Sequence, residues 1–457
     1  MYIKKEIFKA YDIRGVYPEE LNEESAKLIA HAYLKMVSEK VQKPIKTLKI
    51  VVGRDIREAS APLTRIVIET FLSYGIKVDD IGLVSINDYY FACGFYKYDG
   101  GIMATASHNP PEYGGFKMVI KGRQPNSIEF ISGMELYDRL VKLVLPLNGE
   151  KIQGRLEQKN IFNEHLKHIL SFVNPLELKP FKVVIDAGNG MNGLLLSKLF
   201  KQLPGDFIPM FFEPDGKFPN RPPNPLSANA PDKLSQKVLE EKADIGFIYD
   251  VDGDRMFLVD ELGNFIRGDK VLLMMVKPLL IKNPGAGIVY NLICSKSVPE
   301  LVEKWGGRPI RSEVGYKNCA RHMLEEGGIM SGEVSGHFAF KGNYYADSAF
   351  IAFLLVLKTL SDDGRKLSEI LKEYSLYARG DEINIKVDSL QEKLEKIRTH
   401  YKDNLKDEID GITVEFSDYW FNVRASNTEP LLRITVEAKN QEELIKRQEE
   451  VLEVIGN

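Results

Sequence analysis

A serine, a histidine and an asparagine stand together in Ala104-Thr-Ala-Ser-His-Asn-Pro110. An apolar run, Gly101-Ile-Met103, precedes them and Pro111 follows, so Ser107 sits on a loop between a strand and a stiffened turn. Its hydroxyl is a candidate nucleophile, with His108 beside it for proton transfer and Asn109 for hydrogen bonding. Read alone, an ordinary Ser/Asn-Pro turn accounts for the same residues. No Ser-His-Asp order is evident, and a histidine next in sequence to the serine rarely has hydrolase geometry.

A second group is acidic. In Ile245-Gly-Phe-Ile-Tyr-Asp-Val-Asp-Gly-Asp-Arg255, three carboxylates alternate at the end of an apolar strand. Period-two spacing predicts that Asp250, Asp252 and Asp254 share one side of an extended segment. Like charges this close repel unless a cation joins them, and hard carboxylate oxygens suit Mg²⁺ or Ca²⁺. Arg255 adds a planar donor for a phosphate. An EF-hand loop would place its final ligand at Glu261, but Arg255 holds that loop's glycine position and the flanks read as strands.

Two further segments are polar and short. In Met330-Ser-Gly-Glu-Val-Ser-Gly-His337, Glu333, Ser335 and His337 alternate between glycines and can face one way. A carboxylate and a hydroxyl grip sugar hydroxyls, and a histidine binds or moves a proton near neutral pH. Arg424-Ala-Ser-Asn-Thr-Glu-Pro430 puts an arginine, hydroxyls and an amide in one short loop, which is the composition of a phosphate cradle. A polar turn and a Ser-Asn β-turn describe these two segments equally well in isolation.

The elements that must position these groups recur. Apolar strand, small-residue loop, helix and second strand follow one another from Leu48, from Lys182 and from Gly287. Three such signals predict three related mixed α/β sandwich domains. From Ile383 onward, alternating strands and two helical stretches predict an α+β layer of antiparallel type. Periodicity lapses near Asn148–Gly154, Asp260–Gly263 and Leu376–Gly380, giving units 1–150, 151–259, 260–376 and 377–457. The Pro/Asn-rich run Glu213–Pro231 is long for a connection, as functional or mobile loops are.

Composition narrows the function. The chain has 457 residues, 44% of them hydrophobic and 28% charged, with a net charge of −4, so no basic field draws it to nucleic acid or an anionic membrane. Its N-terminus lacks the apolar core of a signal peptide, and the longest apolar stretches, Val271–Val276 and Ala349–Leu357, are too short to span a bilayer and read as buried helices. Three scattered cysteines form no C-x-x-C pair, which argues against zinc or a disulfide framework and makes a reducing cytoplasm the expected compartment.

Together, in this order, the four segments resemble the α-D-phosphohexomutase family over essentially the whole chain. Phe8-Lys-Ala-Tyr-Asp-Ile-Arg-Gly15 is similar to its N-terminal motif, and Gly115-Phe-Lys117 follows the serine loop as it does there. The resemblance implies four domains around a central cleft. It implies that Ser107 is phosphorylated at rest and that a phosphoserine oxygen joins Asp250, Asp252 and Asp254 around Mg²⁺. Tyr11, Arg14, His108, Lys117 and Arg255 would line the reaction site. Glu333 and Ser335 would bind sugar hydroxyls, with His337 a proton-transfer candidate beside Lys117 and His108. Arg424, Ser426, Asn427 and Thr428 would bind the non-reacting phosphate.

The implied reaction interconverts hexose 1-phosphate and hexose 6-phosphate through a hexose 1,6-bisphosphate. Mannose and glucose phosphates are the expected substrates, from the Glu333-Val-Ser-Gly-His337 and Arg424-Ala-Ser-Asn-Thr428 loops. Glucosamine-phosphate members tend to have glutamine at the position of Val334 and glycine at that of Asn427. Dual-specificity relatives place a lysine where Ile293 stands and a histidine where Tyr316 stands, leaving Lys296 or Lys317 as replacement cations. A phosphoglucosamine mutase, or a sugar-phosphate-binding protein without catalysis, are the alternatives.

Overall fold

The computed structural model describes residues 3–142, 154–425 and 431–456. Ser426, Asn427 and Thr428 lie outside the described residues, as does most of the first expected boundary, Asn148–Gly154.

Four sheets follow one another along the chain. In the first, Ile13–Val16, Tyr113–Lys121, Gly100–Ala104, Lys49–Arg54, Lys77–Leu83 and Arg155–Gln158 lie side by side, and Ile128–Ile131 pairs with Tyr113–Lys121. Its centre is parallel and its serine-loop edge antiparallel. The second sheet runs Phe265–Ile266, Met256–Asp260, Ile245–Tyr249, Phe181–Asp186, Gly205–Met210. The third runs Arg308–Ser312, Gly287–Asn291, Gly328–Gly332, Phe338–Phe340, Ala346–Asp347. The fourth, from Ala378–Arg379 onward, is antiparallel throughout, with helices Leu390–His400 and Gln441–Gly456. The four-domain mixed α/β architecture is therefore as the apolar patterning predicts.

Two short strands cross the boundaries read from the sequence. Arg155–Gln158 pairs in parallel with Lys77–Leu83 and so extends the first sheet past residue 150. Phe265–Ile266 pairs with Met256–Asp260 and extends the second past 259. Both are edge strands, and an edge strand is specified by its one neighbour more than by an apolar period of its own.

The second and third units share one continuous core. Helices Gly268–Lys282 and Ala349–Asp363 pack against each other and against strands of both sheets, including Phe247, Leu258, Ile288 and Phe338. Phe350, Ile351, Phe353 and Leu354 are all fully buried, so the first part of this helix is enclosed on every side, which explains why Ala349–Leu357 is an unbroken apolar run rather than an amphipathic one. Among the described residues no helix is long and apolar enough to cross a membrane.

Candidate active site

The serine loop is held by three adjacent strands. Gly100–Ala104 leads into it and Tyr113–Lys121 leads out, paired so that Met103 faces Lys117. Ile13–Val16 lies on the far side of Tyr113–Lys121, with Arg14 opposite Gly115. This register brings Arg14, Ser107 and Lys117 to one sheet end. Arg14 is clamped by Asp12 at 2.7–3.0 Å and donates to Asn109 Oδ1 at 2.5 Å.

Ser107 adopts φ 51°, a left-handed conformation uncommon outside glycine and often kept at functional sites. Its N–H donates to Thr105 Oγ1, and its Oγ lies 3.1 Å from His108 Nδ1 and 3.3 Å from Asp252 Oδ1. The loop's carbonyls converge on Arg57, which donates to Ser107 O, Asn109 O and Pro110 O at 2.5–2.6 Å. Arg57 is itself gripped by Asp55 and covered by the ring of Phe218. Phe218 belongs to the long run Glu213–Pro231, whose Arg221 binds Asp186 at 2.9 Å and the Tyr249 carbonyl beside Asp250. That run packs onto the site rather than merely connecting strand Gly205–Met210 to helix Asp232–Glu241.

The three aspartates converge, but by a route other than alternation. Ile245–Tyr249 ends before them, and residues 250–254 form a loop instead of an extended segment. Asp250 Oδ1 accepts the backbone N–H of Gly253 and of Arg255 at 3.1 Å, curling the loop around its carboxylate. Gly253 has φ 93°, and a Cβ there would lie 2.1 Å from Asn192 Oδ1, so only glycine fits the turn. One oxygen of each of Asp250, Asp252 and Asp254 falls within 4.8 Å of the others. Asp250 Oδ2 and Asp254 Oδ1 are buried without a hydrogen-bond partner. Two orphaned oxygens in a buried all-carboxylate cluster fit a hard divalent cation. Glu261, the EF-hand alternative, instead holds Ser368 through its side chain.

Lys117 Nζ sits against this cluster, 2.8 Å from Asp252 and 2.5 Å from Asp254. Burial works to lower the Lys117 pKa, but the two carboxylates outweigh it and hold it above the ordinary lysine value. Burial and the repulsion of Asp252 and Asp254 push Asp250 up. For Asp254, burial is outweighed by Lys117 and His337, and its pKa is held down. Burial, followed by Arg255, Arg14 and Lys117, keeps His108 well below the usual histidine range.

The third segment joins the second through backbone. Arg255 and His337 form an isolated antiparallel bridge, and Met256 N–H donates to Gly336 O. His337 Nε2 lies 3.5 Å from Asp254, and its Nδ1 lies 2.9 Å from Ser335 Oγ. Residues 333–337 are a hairpin turn, Glu333 N–H donating to His337 O, so their convergence comes from the turn and not from alternation. Glu333 Oε2 accepts from Asn291 and from the Gly315 N–H at 2.9 Å. Its Oε1 is buried without a partner, as an acceptor for a ligand hydroxyl would be.

Aromatic groups close this corner. Tyr316 stacks on His337 with centroids 5.4 Å apart, tilts against Tyr11 and meets Phe130 edge-on. Tyr11 OH donates to Val314 O, linking the first unit to the third. Ile293 is buried. Lys296 is tied to Glu415 of the fourth unit, and Lys317 Nζ is buried without a partner. Arg424 lies one residue before the end of strand Tyr419–Ala425 in the fourth sheet, pairs with Glu382 at 2.7 Å, and keeps its Nε buried and unpartnered.

Sequence reasoning missed Arg57, Asp55, Phe218 and Asn192. The signal for the first two was available, because Arg54-Asp-Ile-Arg57 is a charged cluster directly after a buried strand. Phe218 and Asn192 act across sheets, and no local pattern marks them.

Family models match the chain from end to end. The phosphoglucomutase/phosphomannomutase alpha/beta/alpha domains I, II and III match residues 5–132, 160–263 and 267–377, and the C-terminal domain of that family matches 382–454. A phosphomannomutase of Methanocaldococcus jannaschii is 36% identical over 455 residues, covering 98% of this chain and 97% of that one. Proteins named phosphohexose mutases from Xanthomonas campestris are 36% identical over 442 residues, 96% of each chain. The crystal structure of a phosphoglucomutase/phosphomannomutase family protein from Burkholderia thailandensis superposes with a TM-score of 0.86 at 31% identity, covering 99% of this chain and 98% of that one. On the order of its four domains and its end-to-end identity with these relatives, the chain belongs to the phosphoglucomutase/phosphomannomutase family.

Proposed function

We propose that this phosphohexomutase interconverts the 1- and 6-phosphates of mannose and of glucose through a phosphoserine at Ser107. The phosphoryl group leaves Ser107 Oγ as a new P–O bond forms to the free sugar hydroxyl, giving a hexose 1,6-bisphosphate. After the sugar reorients, the other phosphoryl group returns to Ser107, so no net transfer occurs. Asp250, Asp252, Asp254 and the phosphate on Ser107 would hold Mg²⁺. When bound, that ion neutralises the charge of the transferring phosphoryl group.

The protein's own residues do the rest. Lys117, Arg14 and Arg255 bring positive charge to His108 beside the serine, and such pre-set charge is what a phosphoryl transition state needs. As the sugar oxygen takes the phosphoryl group its hydroxyl loses a proton and Ser107 Oγ gains one; His108 Nδ1, 3.1 Å from Ser107 Oγ, is within reach to exchange the serine's proton, and Lys117, His108 and His337 are the candidates for the sugar's. Glu333 offers its unpartnered oxygen to a sugar hydroxyl, with Ser335 and His337 beside it. Arg424, with Ser426, Asn427 and Thr428, would grip the distal phosphate from the fourth domain. The observation that carries this reading is the 3.3 Å approach of Ser107 Oγ to Asp252, which makes the nucleophile and the carboxylate cluster one site.

The names of the curated relatives favour mannose, and Val334 and Asn427 stand apart from the glucosamine pattern. A panel of mannose, glucose and N-acetylglucosamine 1-phosphates, with Mg²⁺ and a trace of hexose 1,6-bisphosphate, tests the proposal. Turnover of the first two well above the third is expected. Preference for the amino sugar, or sugar-phosphate binding with no turnover of any of them, would overturn it.

A further inference from the structure

One buried side chain joins all three α/β units at the aspartate loop, and it belongs to none of the motifs. Asn87 lies in the first turn of helix Ile86–Phe95 and is fully buried. Its Nδ2 donates to the carbonyl of Gly253, in the middle of the aspartate loop, at 2.5 Å. Its Oδ1 accepts the N–H of Ala349, the first residue of helix Ala349–Asp363 in the third unit, at 2.9 Å. Asn192 of the second unit reaches the same Gly253 carbonyl at 3.0 Å and accepts a 3.3 Å bond from Asn87. Alongside, the Ile86 N–H donates to the carbonyl of Asp252 at 2.9 Å.

We propose that Asn87 is a positioning residue for the carboxylate cluster, fixing the Gly253 peptide so that Asp252 and Asp254 point together. The proposal rests on the reading of that loop as the metal site. The physical case is one of over-determination. Gly253 has a left-handed backbone, so local preference does not choose the orientation of its peptide. Two amide donors on one buried carbonyl do choose it, and an unpaired buried carbonyl would be strongly disfavoured. A planar amide donates from its nitrogen and accepts at its oxygen, so Asn87 serves the loop and a helix N-terminus at once, and that N-terminal N–H has no partner within its own helix. The cluster is therefore set only when the first and third units are docked on the second.

The test is metal binding by the full-length protein, read directly by Mn²⁺ electron paramagnetic resonance. Asn87→Leu keeps the volume and removes its three side-chain hydrogen bonds. Its Mn²⁺ affinity is expected to fall about tenfold, the low end of the range for partners behind metal ligands, with KM for the sugar phosphate unchanged. Thr359→Val, which removes a buried hydroxyl bonded to Met274 O, controls for loss of stability alone. Asp252→Asn controls for the metal reading. Wild-type Mn²⁺ affinity in Asn87→Leu, or a loss no larger than that of Thr359→Val, overturns the inference, provided Asp252→Asn loses the metal. If Asp252→Asn also binds like wild type, the metal reading fails and the inference falls with it. Should Asn87→Leu not fold, Asn87→Asp keeps the shape and the acceptor toward Ala349. Faster amide exchange at Gly253 and Arg255 is then expected, and unchanged protection overturns the proposal.

Discussion

Lys117 Nζ lies 2.8 Å from Asp252 Oδ2, and both groups are buried. The lysine comes from a strand of the first sheet and the aspartate from a loop at the end of the second. Their contact sets a positive charge among carboxylates that repel one another, so the ammonium and a divalent cation meet the same electrostatic need.

Lys117→Met should therefore destabilise the metal-free protein by about 3–5 kcal/mol, because it leaves Asp252 and Asp254 buried without compensation. Added Mg²⁺ should recover more stability in this variant than in the wild type. Melting curves with Mg²⁺ and with a chelator check both statements. Turnover should fall by about a hundredfold or more even with Mg²⁺ saturating.

Ser107→Ala should lose nearly all mutase activity while melting within about 1 kcal/mol of wild type, since a hydroxyl exchanged for a hydrogen leaves no large cavity. Intact-mass spectrometry should find one phosphoryl group on the wild-type protein and none on the variant. Full turnover by the variant would end the phosphoserine reading.

Glu333→Gln should raise KM for the hexose phosphate about tenfold and change Mg²⁺ affinity little. The buried, unpartnered Oε1 is a charged acceptor, and a neutral amide oxygen binds a sugar hydroxyl more weakly. Oε2 already serves Asn291 and Gly315, so part of the loss should appear as a lower melting temperature. Steady-state kinetics beside a melting curve separates the two.

Lys317 makes stability depend on pH. Burial pulls its pKa down to about 7, from the ordinary lysine value near 10.4 that it regains when unfolded. Between those values the unfolded chain binds more protons, so this residue's contribution rises with pH across that window. Below about pH 7 the folded protein carries the full penalty of a buried, unpartnered ammonium. Lys317→Met should thus stabilise by on the order of 1–2 kcal/mol at pH 6 and by less as pH approaches 10, because part of the Lys317 stem still meets solvent. Urea unfolding at several pH values measures the difference.

The candidate groups stand out in the residue pattern because each lies in a short local segment. The three aspartates after an apolar strand point to a cation by themselves, whereas the serine before a proline turn and the glutamate and histidine between glycines also fit ordinary turns and gain their meaning from the order of the segments along the chain. The mixed α/β class follows similarly from apolar runs separated by small-residue turns. Two local expectations fail in detail: the aspartates and the Glu333–His337 segment converge through turns, where Gly253 and backbone hydrogen bonds fold the chain back, and not by strand alternation.

What the chain order alone determines is which groups are available and which strand ends present them. Only the tertiary structure decides which groups meet. Lys117 reaches Asp252 across 135 positions, Asn87 reaches Gly253 across 166, and Arg255 pairs with His337 from another sheet. The reason is physical: an ion pair or a hydrogen bond depends on distance in space, and the packing of separate sheets around a shared core, not the spacing of residues, sets that distance.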